Sequence, residues 1–401
     1  MFIKGDWGGH EGKALSTEDL LSWFNEEVKR RRIFLTKKDM EEILRALERR
    51  EWISLNPELF EKLRARASEA LAEELKKADG IMSQLREAVL EKIDILEVEA
   101  DEGLASLEAI GSDASSHPIP LAISRIALIS GIAVRDPPRT RPSILGDVVC
   151  LSNERSRTEF RFIMSARREA LIPLTILHQA TSFGTPEAVF IDGPLSISQW
   201  YKKAWTRDVR EAVGELVRAR RELIGFCAQE DALLISIVKR GRSRYFHNYI
   251  GIADKSPYSD QTLFHYLLRP GERTEAISIT RAIRRWRSGV SPKDLLINHL
   301  RHEIYGFYIK TSHNPFSPPI RVEFPENLRG REEEIASLVL STAVPSADLS
   351  FDGLPRALCV AHRDAKITAE MMRHIYRERI YEVAEEGMDM GLMASSDRVM
   401  P

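Results

Sequence analysis

The sequence predicts an α/β fold: a mixed sheet flanked by helices, with a long helical appendage at the N-terminus. Three observations carry this. The chain reads as helix to about Glu99 and turns strand-like beyond it. Apolar runs and long amphipathic stretches then alternate from Ala105 to Val238. Two of the runs, Ile110-Gly111-Ser112-Asp113 and Val189-Phe190-Ile191-Asp192, stop at an aspartate followed by small residues. With 401 residues, 43% of them hydrophobic and 29% charged, the chain can bury a full core.

In the appendage, Ser16-Thr17-Glu18-Asp19 and Thr36-Lys37-Lys38-Asp39 read as helix starts, and Asn56-Pro57-Glu58 places a cap before a proline at a first helical position. The third helix carries one apolar stripe, Leu59, Leu63, Ala67, Leu71, Leu75, Ala78, Met82, Leu85, Val89, Ile93 and Leu96. Such a stripe needs a covering surface, either the rest of the chain or a two-fold mate. Strands are expected over 105–115, 120–134 and 144–151, with Pro137, Pro138 and Pro142 marking the loop before the third. A helix over 158–182 leads to a strand over 188–192, and a helix over 206–229 leads to a strand over 232–238. The order β, β, β, α, β, α, β is that of a ribonuclease H-like sheet, in which the first and fourth strands are neighbours. That topology brings Asp113 and Asp192 together although 79 residues separate them.

Paired carboxylates at neighbouring strand ends suit hard divalent cations, and two such ions can serve the attacking and leaving oxygens of a phosphodiester. A third ligand is expected from the intervening helix, where Glu159 and Glu169 are the options and Glu169 is preferred, because Glu159 stands at a polar helix start. Ser236-Ile237-Val238-Lys239 ends a strand in a lysine suited to a phosphate. Gly353 to Arg363 reads as an apolar strand running into His362 at a helix start, a residue able to move a proton. A single aspartate at a strand end is as often a turn or cap residue. Two on adjacent strands are not readily explained that way.

The formal net charge of −2 gives no global case for nucleic acid. Basic residues are nonetheless clustered at Lys29–Arg32, Lys239–Arg244 and Arg281–Arg287, and a phosphate backbone responds to the nearest patch within about 8 Å. Trp200, Tyr201 and Trp205 offer base stacking or, equally, helix packing. Cys150, Cys227 and Cys359 have neither disulfide nor zinc spacing and read as buried thiols. No run of about 18 apolar residues occurs and the N-terminus is too polar for a signal peptide, so no membrane association is expected and the protein is placed in the cytoplasm. No Gly-x-x-x-x-Gly-Lys-Ser/Thr loop is present, so any motor has to come from a partner.

Taken in order, Asp113-Ala114-Ser115, a helical glutamate, Ile191-Asp192-Gly193-Pro194-Leu195, Val238-Lys239-Arg240, Tyr308-Ile309-Lys310, Ile320-Arg321-Val322-Glu323-Phe324-Pro325 and Ala361-His362-Arg363 resemble the NurA nuclease family over roughly residues 100–380. The resemblance implies a manganese-dependent (or magnesium-dependent) nuclease that degrades DNA from ends and cuts single strands. It also implies a homodimer that docks on a HerA-type hexameric ATPase during end resection for recombinational repair, associated with the nucleoid. Carried over by position, Asp113, Glu169 and Asp192 bind metal, Lys239 and Arg240 contact substrate, and His362 assists the chemistry. Where the family has a tyrosine eight residues before the histidine, this chain has Leu354; either Tyr308 replaces it in space, as a substrate contact, or the phenol is absent, and Leu354→Tyr is expected to be tolerated or to raise activity. Residues 1–99 form a segment for dimerisation or partner contact, 100–380 the nuclease domain and 381–401 a tail. Two further classes stand beside this one: a catalytically weak adaptor, and a ribonuclease H-like nuclease acting on RNA, distinguished by the 2′-hydroxyl.

Overall fold

The computed structural model describes residues 57–120, 124–197, 206–286 and 295–366, with His374 and Glu378. The helices expected from Ser16 and Thr36, the aromatic group Trp200, Tyr201 and Trp205, and the C-terminal tail lie outside the described residues. The chain divides into two units, residues 1–80 and 81–401.

Helix α1, Pro57–Leu90, begins with proline at its first position, where the missing N–H costs nothing. Within the first unit Leu71 and Leu75 of the expected stripe remain 61% and 60% exposed. In the second unit Met82, Leu85 and Val89 of the same stripe are buried. The helix stops at Leu90, earlier than its sequence pattern indicates. Ile95–Glu97 forms a short strand, β1, because its backbone finds an antiparallel partner in β7, Glu272–Thr274.

The second unit is built on one large sheet. Strands β2 (Ala109–Pro120), β3 (Ser124–Asp136) and β4 (Ser143–Ser152) form an antiparallel meander. Helix α3, Arg157–Phe183, leads to β5, Ala188–Asp192, and helix α4, Arg207–Gln229, leads to β6, Leu233–Val238; the four-residue α2, Glu102–Ala105, precedes the meander. Ser156 and Thr206 cap the two long helices by accepting from the amides of Thr158 and Val209. β5 lies parallel between β2 and β6, with Ser112 opposite Ile191 and Asp192 opposite Ile237. All six residues of β6 are buried, as expected of a central strand covered on both faces. The order β4-β3-β2-β5-β6 is the ribonuclease H-like core anticipated from the sequence. The sheet continues beyond it through β10 (Ile320–Pro325), β9 (Ile304–Ile309), β7 and β1, all antiparallel pairings, while β8, Ile277–Ser278, pairs on β9.

One face of the sheet is covered by α3 and α4 together with α5 (Tyr245–Ile250), α6 (Asp260–Leu267) and α7 (Ile279–Trp286). The other carries α8, Glu332–Ser341, and a helix over 356–366, here α9. The C-terminal segment corrects the sequence reading. Only Leu354–Pro355 is strand, paired with Ala343–Val344 as β12 and β11, and His362 lies within α9 rather than at its start. Ala357, Leu358, Ala361 and Ala365 supply the reason, since their helical spacing gives a buried face made of small and aliphatic side chains. The cysteines also differ from expectation: Cys227 is buried, Cys359 partly so, and Cys150 exposed on the edge strand β4. Among the described residues no helix is long and apolar enough to cross a membrane.

Candidate metal centre

Strand alternation decides which side of the sheet each aspartate serves. Ser112 turns toward α3, where its hydroxyl meets Ile172 O at 3.3 Å and Thr175 Oγ1 at 3.0 Å. Asp113 therefore faces the opposite side, toward α9, as does Ser115, whose hydroxyl donates to Ala365 O. Asp192, one position past the Ser112–Ile191 pairing, shares the face of Asp113. The backbone of α9 approaches β2 so closely at Gly111 that a Cβ there would stand 2.3 Å from Ala357 O. This approach delivers His362. Its Nδ1–H donates to Asp113 Oδ2 at 2.6 Å and lies 3.6 Å from Asp192 Oδ2. Lys239 Nζ, just past the end of β6, donates to Asp192 Oδ2 at 2.6 Å. One ligand atom each from Asp113, Asp192 and His362 lies within 4.8 Å of the others, the one such acid and histidine group among the described residues. Phe351 sets its ring edge-on to His362 at 5.4 Å between centroids, and Lys366 stands over the same ring.

The electrostatics suit a cation. Burial opposes ionisation of Asp192, yet the hydrogen bond from His362 and the charge of Lys239 outweigh it and hold its carboxyl below the usual aspartate range. The hydrogen bonds to Asp113 and Asp192 raise His362 above its ordinary value of 6.5 against burial and Lys239. In this arrangement the His362 ring and the Lys239 side chain flank the acid pair. Two carboxylates and an imidazole within reach of one point form a donor set that fits Mn²⁺ or Mg²⁺ in oxygen preference, with the imidazole tilting it toward manganese.

The other expected site residues are placed as follows. Glu169 stays on the α3 side, where Arg220 Nη2 donates to it at 2.8 Å and Ser165 at 3.3 Å, so it is outside the three-residue group. Glu159, the alternative, accepts from Arg155 and Thr206 where α3 and α4 begin. Arg240 is exposed in the loop after β6. Tyr308 is not available to substrate. It is fully buried between Phe246 and Phe264, with its hydroxyl toward Arg321, and burial pushes the phenol pKa upward. Leu354 is likewise core, 2% exposed, so no phenol at that position faces the site. We therefore expect Leu354→Tyr to lower stability by about 1–3 kcal/mol through overpacking, read as a fall in denaturation midpoint with unchanged denaturant slope. Phe351 was not anticipated from sequence; it stands 11 residues before His362 in a loop without periodic pattern.

Solved structures share the fold. The Sulfolobus solfataricus NurA nuclease is 15% identical, over 82% of this chain and 98% of that one, with a TM-score of 0.55. A second NurA crystal structure is 12% identical, over 82% and 98%, with a TM-score of 0.51. A NurA bound to dAMP and manganese is 12% identical, over 78% and 95%, with a TM-score of 0.50. Among curated proteins none matches the sequence. The NurA domain family matches residues 141–367, more than half of the chain, and on that match the chain belongs to the NurA family.

Proposed function

We propose that the protein is a metal-dependent nuclease that hydrolyses phosphodiester bonds of DNA at the Asp113, Asp192 and His362 centre, with manganese as the preferred ion. The observation that carries this is the convergence of those three side chains with Lys239 where β2 runs past the ends of β5 and β6: Asp192 ends its strand, Asp113 lies within the longer β2 instead of at its end, and His362 comes from α9. A divalent cation held there supplies Lewis-acid stabilisation and an activated water. The chain's own residues do the rest. Asp113 and Asp192 present the carboxylate oxygens that bind the ion, and Lys239, anchored on Asp192, places a positive charge for a phosphate oxygen. His362, held by Asp113 through Nδ1, would offer its neutral imidazole to the same ion. Family membership supports the wider reading: attack on DNA ends and on single strands during end resection, as a homodimer working with a HerA-type hexameric ATPase.

End-labelled duplex, single-stranded DNA and matched RNA, incubated with the purified protein and manganese, magnesium or chelator, test the reading. Metal-dependent loss of the DNA label is expected. Preferential loss of RNA would move the assignment to a ribonuclease, and no cleavage with any metal, even with the ATPase added, would favour an adaptor.

The titration of His362 gives a further expected result. Its raised folded value means that the protonated form stabilises the metal-free protein below pH 6.5, and that this contribution is lost as pH rises through the folded value. Metal needs the neutral imidazole, so proton and Mn²⁺ compete. The rise in melting temperature on adding Mn²⁺ should grow as pH increases through neutrality and then level off. A pH-independent rise would remove His362 from the ligand set.

A further inference from the structure

Behind the metal centre, on the α3 side of the sheet, runs a buried chain of charge that the proposed chemistry does not use. Glu323 is fully buried in β10, a strand whose other side chains are otherwise mostly apolar. Its Oε2 accepts from the Ser196 amide at 2.8 Å and its Oε1 from the Ser196 hydroxyl at 3.0 Å. The same Oε1 accepts from Arg321 Nε at 2.9 Å, with Arg321 Nη2 also at 2.9 Å. Arg321 continues the chain to the Ser243 hydroxyl, in the loop after β6, and stacks over the Tyr245 ring at 5.0 Å. From the other end, Arg220 of α4 spans Leu195 O at 3.2 Å and Ser196 O at 3.3 Å while binding Glu169.

Every contact of this network on the segment 193–196 converges four residues or fewer past Asp192. That segment leaves β5 with its first amide, Gly193 N, bound to Ile237 O at 2.9 Å and its first carbonyl bound by the Ser236 hydroxyl. Glu323 pairs in register with Ser236, which pairs with Ile191, so one ladder row joins the buried carboxylate to the strand end that carries Asp192. Arg321 pairs with Val238, the residue before Lys239. A buried carboxylate is costly unless its oxygens are filled, and here Arg321 and the amide and hydroxyl of Ser196 fill them. The exit of the chain from β5 is thereby fixed in one conformation.

We infer that Glu323 is a positioning residue for Asp192: through Ser196, and with Arg220 on the carbonyl side, it fixes the direction in which the Asp192 carboxylate meets a metal ion. Glu169 then serves the centre indirectly, as the counter-charge of Arg220. This rests on the metal-site reading above and deepens it. Partners one step behind a metal ligand commonly change affinity or activity 10- to 100-fold when altered.

The test is calorimetric titration of Mn²⁺ into the full-length protein, alongside melting temperature, for wild type, Glu323→Gln, Ser196→Ala and Asp192→Asn. Glu323→Gln keeps the size but has one acceptor oxygen instead of two, so it cannot take the Ser196 amide on one side while holding the Ser196 hydroxyl and Arg321 on the other; Ser196→Ala removes one hydroxyl and leaves the arginine pair intact. The inference expects an Mn²⁺ dissociation constant raised about 10-fold or more in Glu323→Gln and less, in the same direction, in Ser196→Ala. A merely structural Glu323 would lower the melting temperature and leave the dissociation constant of the folded protein unchanged, and that result overturns the inference. If Glu323→Gln does not fold, Ser196→Ala decides by the same criterion. Asp192→Asn separates the two levels: wild-type Mn²⁺ binding there overturns the metal site and this inference together. Lost binding there, with unchanged binding in the other two variants, overturns this inference alone.

Discussion

Asp192→Ala is expected to reduce DNA cleavage by at least about 1000-fold, equivalent to about 4 kcal/mol of transition-state stabilisation, while the protein stays folded. The carboxylate is the common partner of Lys239 and His362, so on the proposed function its loss would remove a ligand of the ion and the anchor of the lysine in one change. The fold does not depend on it in the same way. Lys239 and His362 keep side-chain exposures of 18% and 23%, so water reaches both once the aspartate is gone. The like charge of Asp113 is also relieved. Circular dichroism and melting temperature close to wild type, together with lost cleavage, are the expected pair of results. Retained cleavage would detach the chemistry from β5.

Gly111→Ala should lower both stability and activity, because among the described glycines it is the one whose added Cβ would stand nearest a neighbouring atom. Its Cβ would lie 2.3 Å from Ala357 O and 2.4 Å from Ala357 C, both backbone atoms, so no side chain can turn aside. Either β2 or α9 must move. The cost is at least about 1–3 kcal/mol as overpacking, and the displacement falls between the two elements that bring Asp113 and His362 together. Gly131→Ala on β3 is the matched comparison. Its Cβ would meet Leu171 at 2.8 Å on the α3 side, away from α9. The expected outcome is a lowered melting temperature for both variants, with specific activity per folded molecule falling only for Gly111→Ala. Equal activities per folded molecule would mean that the α9 contact does not set the Asp113–His362 geometry.

Much of this architecture is legible before any coordinates. β5 and β6 are short, nearly pure apolar runs, and α3 and α4 are long amphipathic stretches with Ser156 and Thr206 as caps. The neighbouring of β2 and β5 follows from their order, and with it the meeting of Asp113 and Asp192. What escaped the sequence has physical reasons. Strands of two or three residues, such as β1, β8, β11 and β12, are too short to show a period and exist only because a partner strand binds their backbone. The apolar run before His362 suits strand or helix equally until the burial of Ala357, Leu358, Ala361 and Ala365 reveals the helical face. Tyr308 and Leu354 look available from motif order alone, whereas which face of an element a residue occupies is a tertiary fact. The pairing of Glu169 with Arg220 is of the same kind, since Arg220 arrives from another helix. The buried Glu323 did leave a sequence signal: two opposite charges, Arg321 and Glu323, alternate with apolar residues inside one strand, as a half-polar face within a core requires.

The central claim is that Asp113, Asp192 and His362 hold the catalytic ion. Anomalous diffraction from crystals grown with Mn²⁺ tests it most directly. The account predicts a peak within coordination distance of carboxylate oxygens from both aspartates and of a His362 ring nitrogen, absent in Asp192→Ala crystals treated identically. A peak centred on Glu169, or one that persists at full height in Asp192→Ala, would contradict it.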